Sequence, residues 1–293
     1  MNDNIFKYTP IFYENVYIHS KPENSLLYDR IWDMQHQAQS EGIETWGPNR
    51  VEKLKKLFDN AWLRLDGLTV LDTPCGLGRM SIAALELGAE NVYSVDGSFI
   101  GPKQTKARDS RIVAVQSNIE LMHNLFNDNI FDVIIHYFSL MHLKDYRSVL
   151  LLFQKLLKPN GLLAFNFFGK GTTPDITYAL RDIFLPLGID LTIDFLSATG
   201  KLNRFSSKVI DIRNLDSIDI NNYPKFSNIL LSLKQLSKIY SSALLDDRLR
   251  LEDLCTTYLH NFDKFEIKIF IERETSLKII RETHDGFVVQ KSF

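Results

Sequence analysis

Two aspartates and two glycines are the residues of this 293-residue chain best suited to binding a ligand. Asp72 follows the apolar run 68–71 and precedes Gly76 and Gly78, and Asp96 lies twenty residues after Gly76. Glycine permits unusual backbone angles and close approach of a ligand to the main chain. A carboxylate can accept hydrogen bonds from both hydroxyls of a ribose. The pattern predicts a site for a nucleotide-like ligand, and the spacing alone also fits a dinucleotide.

The elements that would position these residues alternate between strand and helix. Apolar runs typical of strands buried on both faces of a parallel sheet occur at 68–72, 91–96, 111–116, 131–137 and 162–168. Amphipathic segments between them predict helices, and the pattern as a whole predicts an α/β fold with a doubly wound, mostly parallel sheet. Ligands of such sheets bind beyond the carboxyl ends of the strands, so the glycine turn and Asp96 would share one edge.

The remaining segments are predicted to complete a seven-stranded sheet and to form a lid and a cap over it. Residues 264–271 alternate like a half-buried strand, and with 286–290 and the turn 283–286 they predict a C-terminal antiparallel hairpin. We expect three parts: an N-terminal helical lid at 1–66, with helices at 24–39 and 51–63; a core at 67–169 plus 264–293; and an inserted cap at 170–263, between the fifth and sixth strands.

Composition excludes several classes of function. The net charge of −2 argues against binding nucleic acid through a basic surface. Only two cysteines occur, one of them inside the glycine turn, which predicts no disulfide framework and a reducing compartment. No signal-peptide pattern and no run of about 20 apolar residues is present, so we expect a cytoplasmic protein without a membrane segment. No cluster has the spacing of metal ligands, and we expect no metal.

Five motifs in order resemble class I methyltransferases that use S-adenosylmethionine. They are the segments 70–78, 95–98, 116–119, 131–134 with its continuation 140–143, and 156–161. The turn lacks the third glycine that a dinucleotide-binding dehydrogenase would have for close helix packing. The chain departs from the family at Thr73 and Pro74, which replace small residues, and at Asn118, where aspartate is usual. The resemblance implies S-adenosyl-L-methionine as cofactor and S-adenosyl-L-homocysteine as product.

The resemblance also implies a division of labour within the cofactor site. The methionine part would be held by Asp72, Thr73, Pro74, Cys75, Gly76 and Gly78, the ribose by Asp96, Gly97 and Ser98, and the adenine by Asn118 and Ile119. The main chain near His136 would face the ammonium group. A carboxamide oxygen can accept from the adenine amino group, so asparagine at 118 is compatible with this role.

Candidate catalytic and acceptor-binding residues are fewer. His142 is a candidate proton acceptor, with a capping role in the core as the alternative, and His136 either takes part in catalysis or only packs against the cofactor. Trp46, Arg50 and Tyr137 are candidates for the acceptor pocket. The alternative for the N-terminal segment is a helical layer packed on the core. Cys75 lies inside the cofactor turn, where a nucleophilic role is not expected.

These observations predict methyl transfer to a small-molecule acceptor, on oxygen or nitrogen, as in the biosynthesis of specialised metabolites. A roofed site favours a small acceptor over a protein surface. The alternatives are a peptide or protein methyltransferase and a non-catalytic module that keeps the fold. We expect a monomer or a homodimer. The identity of the acceptor is not encoded in any motif of the lid or the cap.

Overall fold

The computed structural model describes residues 5–22, 25–26, 29, 32–33, 36, 50–137, 139–140, 143, 145–167, 263–283 and 286–292. The chain divides into two compact units, Met1–Asp33 with Asn49–Phe167 and Glu266–Phe293, and Met34–Pro48 with Phe168–Phe265. Nearly all residues of the second unit, including the predicted cap, lie outside the described residues. The account below therefore concerns the first unit.

The described residues of the first unit form a sheet of nine strands. They are β1 (Ile11–Tyr13), β2 (Val16–Ile18), β3 (Thr69–Asp72), β4 (Asn91–Asp96), β5 (Val113–Gln116), β6 (Phe131–His136), β7 (Leu157–Asn166), β8 (Leu277–Thr283) and β9 (Gly286–Lys291). The order across the sheet is β1-β2-β5-β4-β3-β6-β7-β9-β8. The strands from β2 to β7 pair in parallel, and the hairpins β1–β2 and β8–β9 are antiparallel. The predicted doubly wound, mostly parallel sheet with its C-terminal hairpin is confirmed.

The helices connect and cover these strands. They are α1 (Arg50–Leu57), α2 (Arg79–Glu86), α3 (Ile100–Arg108), a 3-10 helix (Ile119–Asn124), α4 (Tyr146–Leu156) and α5 (Lys264–Glu274). At the start of α4 the Asp145 carboxylate accepts from the N–H groups of Arg147 and Ser148 at 3.1 and 3.2 Å, which caps the helix. Within the described ranges, no helix combines the length and the apolar character needed to cross a bilayer.

The predicted strand at 264–271 is wrong, because this segment is helix α5. Its buried residues Ile267, Phe270 and Ile271 follow the i, i+3, i+4 spacing of a helix face, whereas Phe265 is exposed. Apolar residues at both two- and three-residue intervals made the segment ambiguous. The strand of the hairpin follows the helix as β8 and pairs with β9.

The sheet has nine strands and not the predicted seven because the N-terminal segment begins with a hairpin. Glu14 and Asn15 have φ of 46° and 65°, the left-handed pair of a two-residue turn that joins β1 to β2. Strand β2 then pairs with β5 and buries Val16. The segment 1–66 is thus not wholly helical, although the described positions at 25–26, 29, 32–33 and 36 and helix α1 are.

The central strands are buried on both faces, as their apolar sequences predict. Val70, Val133 and Ile135 belong to a cluster that includes residues of α1 and α2. On the other face Tyr93 and Phe131 pack edge to face, with ring centroids 5.7 Å apart. This double burial gives the carboxyl ends of β3, β4 and β6 a rigid support.

At the amino-terminal edge of the sheet, one carboxylate connects three neighbouring strands, β3, β6 and β7. Asp132, at the start of β6, accepts the N–H of Thr69 at 2.9 Å and the ammonium group of Lys158 at 2.8 Å. The bond to Thr69 ties β6 to β3, and the ion pair ties it to β7. The fourth and fifth motifs of the sequence therefore meet here, at the edge opposite the candidate site.

Candidate functional site

The glycine turn connects β3 to α2 and packs tightly against α3. Gly76 and Gly78 have φ of 48° and 78°, a left-handed conformation that favours glycine. A Cβ added to Gly78 would lie 2.3 Å from the methyl carbon of Thr105, and one added to Gly101 would lie 2.8 Å from the Gly76 carbonyl oxygen. The turn therefore packs closely against helix α3 at Gly78 and Gly101, although it has no third glycine of its own. Gly101 and Thr105 carried no sequence signal.

The turn's main-chain N–H groups are mostly used inside the protein. Four of them donate as follows: Thr73 to the Ile135 carbonyl at 3.0 Å, Cys75 to Val95 at 2.9 Å, Gly76 to the Asp96 carboxylate at 2.9 Å, and Gly78 to Cys75 at 2.8 Å. A pyrophosphate-binding turn directs such groups at its ligand. The arrangement therefore favours a nucleoside-type ligand over a dinucleotide.

Asp96 lies at the carboxyl end of β4, beside the turn. One carboxylate oxygen accepts the N–H and the hydroxyl of Ser98, at 2.9 and 2.7 Å, and the other accepts the Gly76 N–H. Burial raises the pKa of Asp96, while these hydrogen bonds act in the opposite direction. The predicted position of Asp96 at this edge is confirmed, and its role toward a ribose stays a prediction.

Asp72 ends β3 and is almost completely buried. One carboxylate oxygen accepts the hydroxyl of Ser81, which in turn lies 2.6 Å from the hydroxyl of Ser94. The other oxygen, Oδ1, is buried and has no hydrogen-bond partner among the described residues. Burial raises the pKa of Asp72 to about 7, and the charge of Asp96 adds to this effect. Ser81 and Ser94 reach Asp72 only through the fold, and no sequence pattern singled them out.

Asn118 and Ile119 follow β5 at the same edge. The side-chain oxygen of Asn118 accepts the N–H of Glu120 at 3.0 Å and caps the 3-10 helix. Its main-chain N–H donates to the hydroxyl of Ser20 at 2.9 Å. A carboxamide oxygen has two lone pairs, so the cap leaves capacity for a second donor such as the adenine amino group.

His136 ends β6 with its side chain completely buried. Its Nδ1 lies 2.6 Å from the Thr73 carbonyl oxygen, and its Nε2 lies 3.1 Å from the Ser139 hydroxyl. Because a carbonyl oxygen only accepts, Nδ1 carries the proton, and in the neutral ring Nε2 then accepts from Ser139. The ring thus ties β6 to the turn, which favours a positioning role over proton abstraction. Tyr137 follows it and is partly buried against the core.

The structure corrects one predicted acceptor residue. The Arg50 guanidinium pairs with the carboxylate of Glu86, at the end of α2 remote from the turn. An eight-residue helix is about 12 Å long, so this pair lies away from the carboxyl edge. Arg50 therefore does not line a site built on the turn. Trp46, another candidate for the acceptor pocket, and His142, the candidate proton acceptor, lie outside the described residues.

Two further predictions concern Cys75 and metals. Burial raises the pKa of the Cys75 thiol well above its ordinary value, and the nearby Asp96 and Asp72 add to the effect. A raised pKa favours the neutral thiol, which is a poor nucleophile, and the absence of a nucleophilic role for Cys75 stays a prediction. In the part of the chain that the structure describes, no three His, Cys, Asp or Glu side chains gather as metal ligands would. The absence of a metal stays a prediction.

The N-terminal segment supplies site residues that the sequence analysis missed. The Asp29 carboxylate accepts the N–H groups of Phe99 and Ile100, at 2.6 and 2.8 Å, and caps the start of α3. The Trp32 ring lies against Gly76, where an added Cβ would be 3.0 Å from the ring. Pro22 packs on Gly97, with 2.8 Å between its ring and an added Cβ. The many aromatic residues of segment 1–66 were the sequence signal for Trp32, and Asp29 and Pro22 had none.

The central part of the chain matches a known family model. Residues 71–165 match the family model described as a methyltransferase domain. This match begins within β3 and ends within β7. It includes the glycine turn, Asp96 and Asn118. Residues 71–165, about a third of the chain, are thus similar to a methyltransferase domain.

Relatives of known name share this domain. The ribosomal protein L11 methyltransferase of Vibrio campbellii is 34% identical over 150 residues, which are 50% of this chain and 46% of that protein. The mitochondrial ubiquinone biosynthesis O-methyltransferase of Dictyostelium discoideum is 25% identical over 175 residues, 54% of each chain. The chain therefore matches about half the length of these relatives. The crystal structure of the [4+2]-cyclase SpnF has the same fold, with a TM-score of 0.50, 11% identity and coverage of 94% of this chain and 98% of that one.

Proposed function

We propose that this protein transfers a methyl group from S-adenosylmethionine to a small-molecule acceptor. The observation that carries the proposal is the pair of buried carboxyl groups, Asp72 and Asp96, at a turn whose N–H groups are donated inside the protein. When ionised, two carboxyl groups repel a phosphate and attract a cation. S-adenosylmethionine has no phosphate, carries a positive ammonium group, and supplies a methyl group activated by its positive sulfonium.

The residues present fit this cofactor. The unpartnered oxygen of Asp72 is a buried acceptor, and burying an acceptor without a donor costs about 1–3 kcal/mol. An ammonium group at this position would supply the missing donor. The ionised carboxyl would in turn be stabilised by the positive charge, against the burial that raises its pKa.

We assign the remaining contacts from position along the carboxyl edge. The methionine part lies at Asp72 and the turn from Thr73 to Gly78, the ribose at Asp96, Gly97 and Ser98, and the adenine at Asn118 and Ile119. His136 holds the turn through the Thr73 carbonyl. Tyr137 stays a candidate for the acceptor side, as do Trp46 and His142.

The choice of a small-molecule acceptor rests on the length of the connection after β7 and on one relative. The chain between Asn166 and Lys264 is far longer than a plain connection, so it can supply a substrate-binding cap. The relative from Dictyostelium is named for an O-methylation in ubiquinone biosynthesis. We propose an oxygen or nitrogen acceptor, in the cytoplasm.

A protein acceptor is the second candidate, because the Vibrio relatives are named for methylation of a ribosomal protein. The SpnF likeness raises a third outcome. That protein is named a cyclase, and a shared fold does not determine the reaction.

Methyl transfer is tested with S-adenosylmethionine labelled in its methyl group. The purified chain is incubated with a metabolite extract and, separately, with a total protein fraction, and a heat-inactivated sample serves as the control. We expect label in extractable small molecules. Label confined to protein supports the second candidate. No labelled product, with S-adenosylhomocysteine still bound, indicates a binding module or another reaction.

Cofactor binding is tested at Asp96. Replacing Asp96 by Asn or Ala removes the charged acceptor, and hydrogen bonds to charged groups contribute about 1.5–3 kcal/mol, so we expect an affinity for S-adenosylhomocysteine about 10- to 100-fold weaker. Isothermal titration calorimetry measures the change. The matched control is Asp109→Asn, which breaks a surface pair with Arg111 and leaves the site intact. Unchanged binding in a folded Asp96→Ala protein would show that the assignment of Asp96 is wrong.

A further inference from the structure

The side chain of Trp32 fills space beside the residues to which we assign the ribose. Two atoms of its six-membered ring, Cη2 and Cζ2, lie 3.0 and 3.1 Å from the position of a Cβ added to Gly76. The ring is thus in van der Waals contact with the main chain of the turn. No other group can lie between Trp32 and Gly76 while the ring keeps this position.

The polar side of the same ring faces the carboxylate of Asp96. The indole N–H is buried and completes no hydrogen bond among the described residues. It lies close enough to Asp96 to act against the effect of burial on the pKa of that carboxyl. Asp96 is thus an acceptor within reach of this buried donor.

The acceptor capacity of Asp96 is limited. Oδ1 already takes two bonds from Ser98, and Oδ2 takes the Gly76 N–H. A carboxylate offers about four lone-pair sites, so little capacity remains for further donors. The indole N–H and the ribose hydroxyls therefore compete for the same acceptor.

We propose that Trp32, in the position described here, holds the place of the ribose at Asp96, and that a nucleoside ligand displaces it on binding. The inference rests on the proposed function, because it takes the ribose to bind Asp96. Trp32 then sets the affinity of the site: the free energy of its contacts with Gly76 and Asp96 is subtracted from that of the ligand. The indole is a competitor built into the chain.

Variants at Trp32 distinguish a side chain that competes with the ligand from one that helps to bind it. Trp32→Ala removes the ring and the N–H, and Trp32→Phe keeps a ring but removes the N–H. Because Trp32→Ala removes both the packing of the ring on Gly76 and the polar contact with Asp96, we expect it to bind S-adenosylhomocysteine about three- to tenfold more tightly than the wild type. Trp32→Phe gains less. 5′-Methylthioadenosine, which carries the ribose without the amino acid, shows the same order of affinities.

Fluorescence follows the displacement directly. The chain has three tryptophans, and Trp62 is 89% exposed, so Trp62→Phe is the matched control that leaves the site unchanged. In this control, S-adenosylhomocysteine shifts the emission to longer wavelength as the indole of Trp32 becomes exposed. Adding Trp32→Phe abolishes the shift. Thermal unfolding confirms that each variant is folded.

The outcomes distinguish the inference from the function on which it rests. Tighter binding by both Trp32 variants, with loss of the emission shift, supports competition. Equal or weaker binding by folded Trp32→Ala and Trp32→Phe overturns it and makes Trp32 a supporting wall, while the proposed cofactor stands. If neither wild type nor any variant binds S-adenosylhomocysteine or 5′-methylthioadenosine, the proposed function fails and the inference fails with it.

Discussion

At the scale of single residues, His136 was a candidate catalytic group, and in the structure it is a buried residue that connects β6 to the glycine turn. Both ring nitrogens of His136 are in hydrogen-bond contact within the protein, and its ring packs 5.2 Å from that of Phe153. The bond to the Thr73 carbonyl fixes the first residue of the glycine turn. The resemblance to the family implies that the main chain near His136 faces the ammonium group.

This assignment gives a prediction for the tautomer of His136. The Nδ1–H form matches the carbonyl acceptor at Nδ1, so nitrogen-15 NMR of the ring should show a protonated Nδ1 and an unprotonated Nε2. Replacing His136 by Ala, which also leaves a cavity, should cost about 2–4 kcal/mol in the free energy of unfolding. His136→Asn retains a donor and should cost less. An Nε2–H tautomer would contradict the positioning role.

At the scale of elements, the contact between the glycine turn and α3 determines the shape of the site. The side chain of Thr105 fills the position of a Cβ on Gly78, and its hydroxyl donates to the Gly101 carbonyl at 2.9 Å. Asp29 caps the first turn of the same helix. The turn is thus held between β3, β4 and α3, with no space for a larger residue.

Two glycines with similar backbone angles test this contact. Gly67 has φ of 72° with nothing within 4 Å of an added Cβ, whereas Gly78 has φ of 78° and clashes with Thr105. Gly67→Ala should cost about 1–2 kcal/mol from backbone strain alone. Gly78→Ala should cost about 1–3 kcal/mol more and weaken binding of S-adenosylhomocysteine. Chemical denaturation and calorimetry measure the two effects, and equal costs would refute the clash.

A second prediction concerns the strand junction at the opposite edge. Asp132→Ala leaves the N–H of Thr69 without its acceptor and removes the ion pair, so we expect a loss of about 2 kcal/mol. Lys158→Ala removes only the partly exposed pair and should cost less than about 1 kcal/mol. Denaturation with urea compares the two variants. A larger effect for Lys158→Ala would place the stabilisation in the ion pair and not in the strand junction.

At the scale of the whole molecule, stability should depend on the two buried carboxyl groups. The native pKa of Asp72 is about 7 against an ordinary value of 3.8, and that of Asp96 is raised too. Between about pH 4 and pH 7 the native state keeps the proton of Asp72 while the unfolded chain releases it, and the raised pKa of Asp96 acts in the same direction. Stability from this source therefore falls as pH rises through that window and levels off above it. His19, whose pKa is lowered by burial, acts in the opposite direction.

The variant Asp72→Asn isolates this contribution. A shift of about 3 pKa units corresponds to up to about 4 kcal/mol, so the wild type should lose up to that much relative to Asp72→Asn between pH 4.5 and pH 7.5. The free energy of unfolding in urea is measured for both proteins across this range. Comparing the two cancels the effect of His19 and the surface carboxylates. Parallel curves would show that Asp72 is ionised in the native state.

The sequence by itself determined the central sheet, because buried parallel strands are continuous apolar runs and glycine turns follow them directly. It also placed Asp72, Asp96 and Asn118 at one edge, since the carboxyl ends of parallel strands meet there. It failed at α5, because the spacing of its apolar residues fits both a strand and a helix. It also failed at β1–β2, because the turn between them has left-handed backbone angles at Glu14 and Asn15 without a glycine to signal it.

Only the tertiary structure decided which distant residues complete the site. Trp32 and Asp29 reach the turn and α3 from a separate segment, and Ser81 and Ser94 meet Asp72 through packing between α2 and β4. Arg50 forms an ion pair with Glu86 at the end of α2 that is remote from the glycine turn. Local patterns record the period of burial along one element, whereas contacts between elements depend on how the whole chain packs.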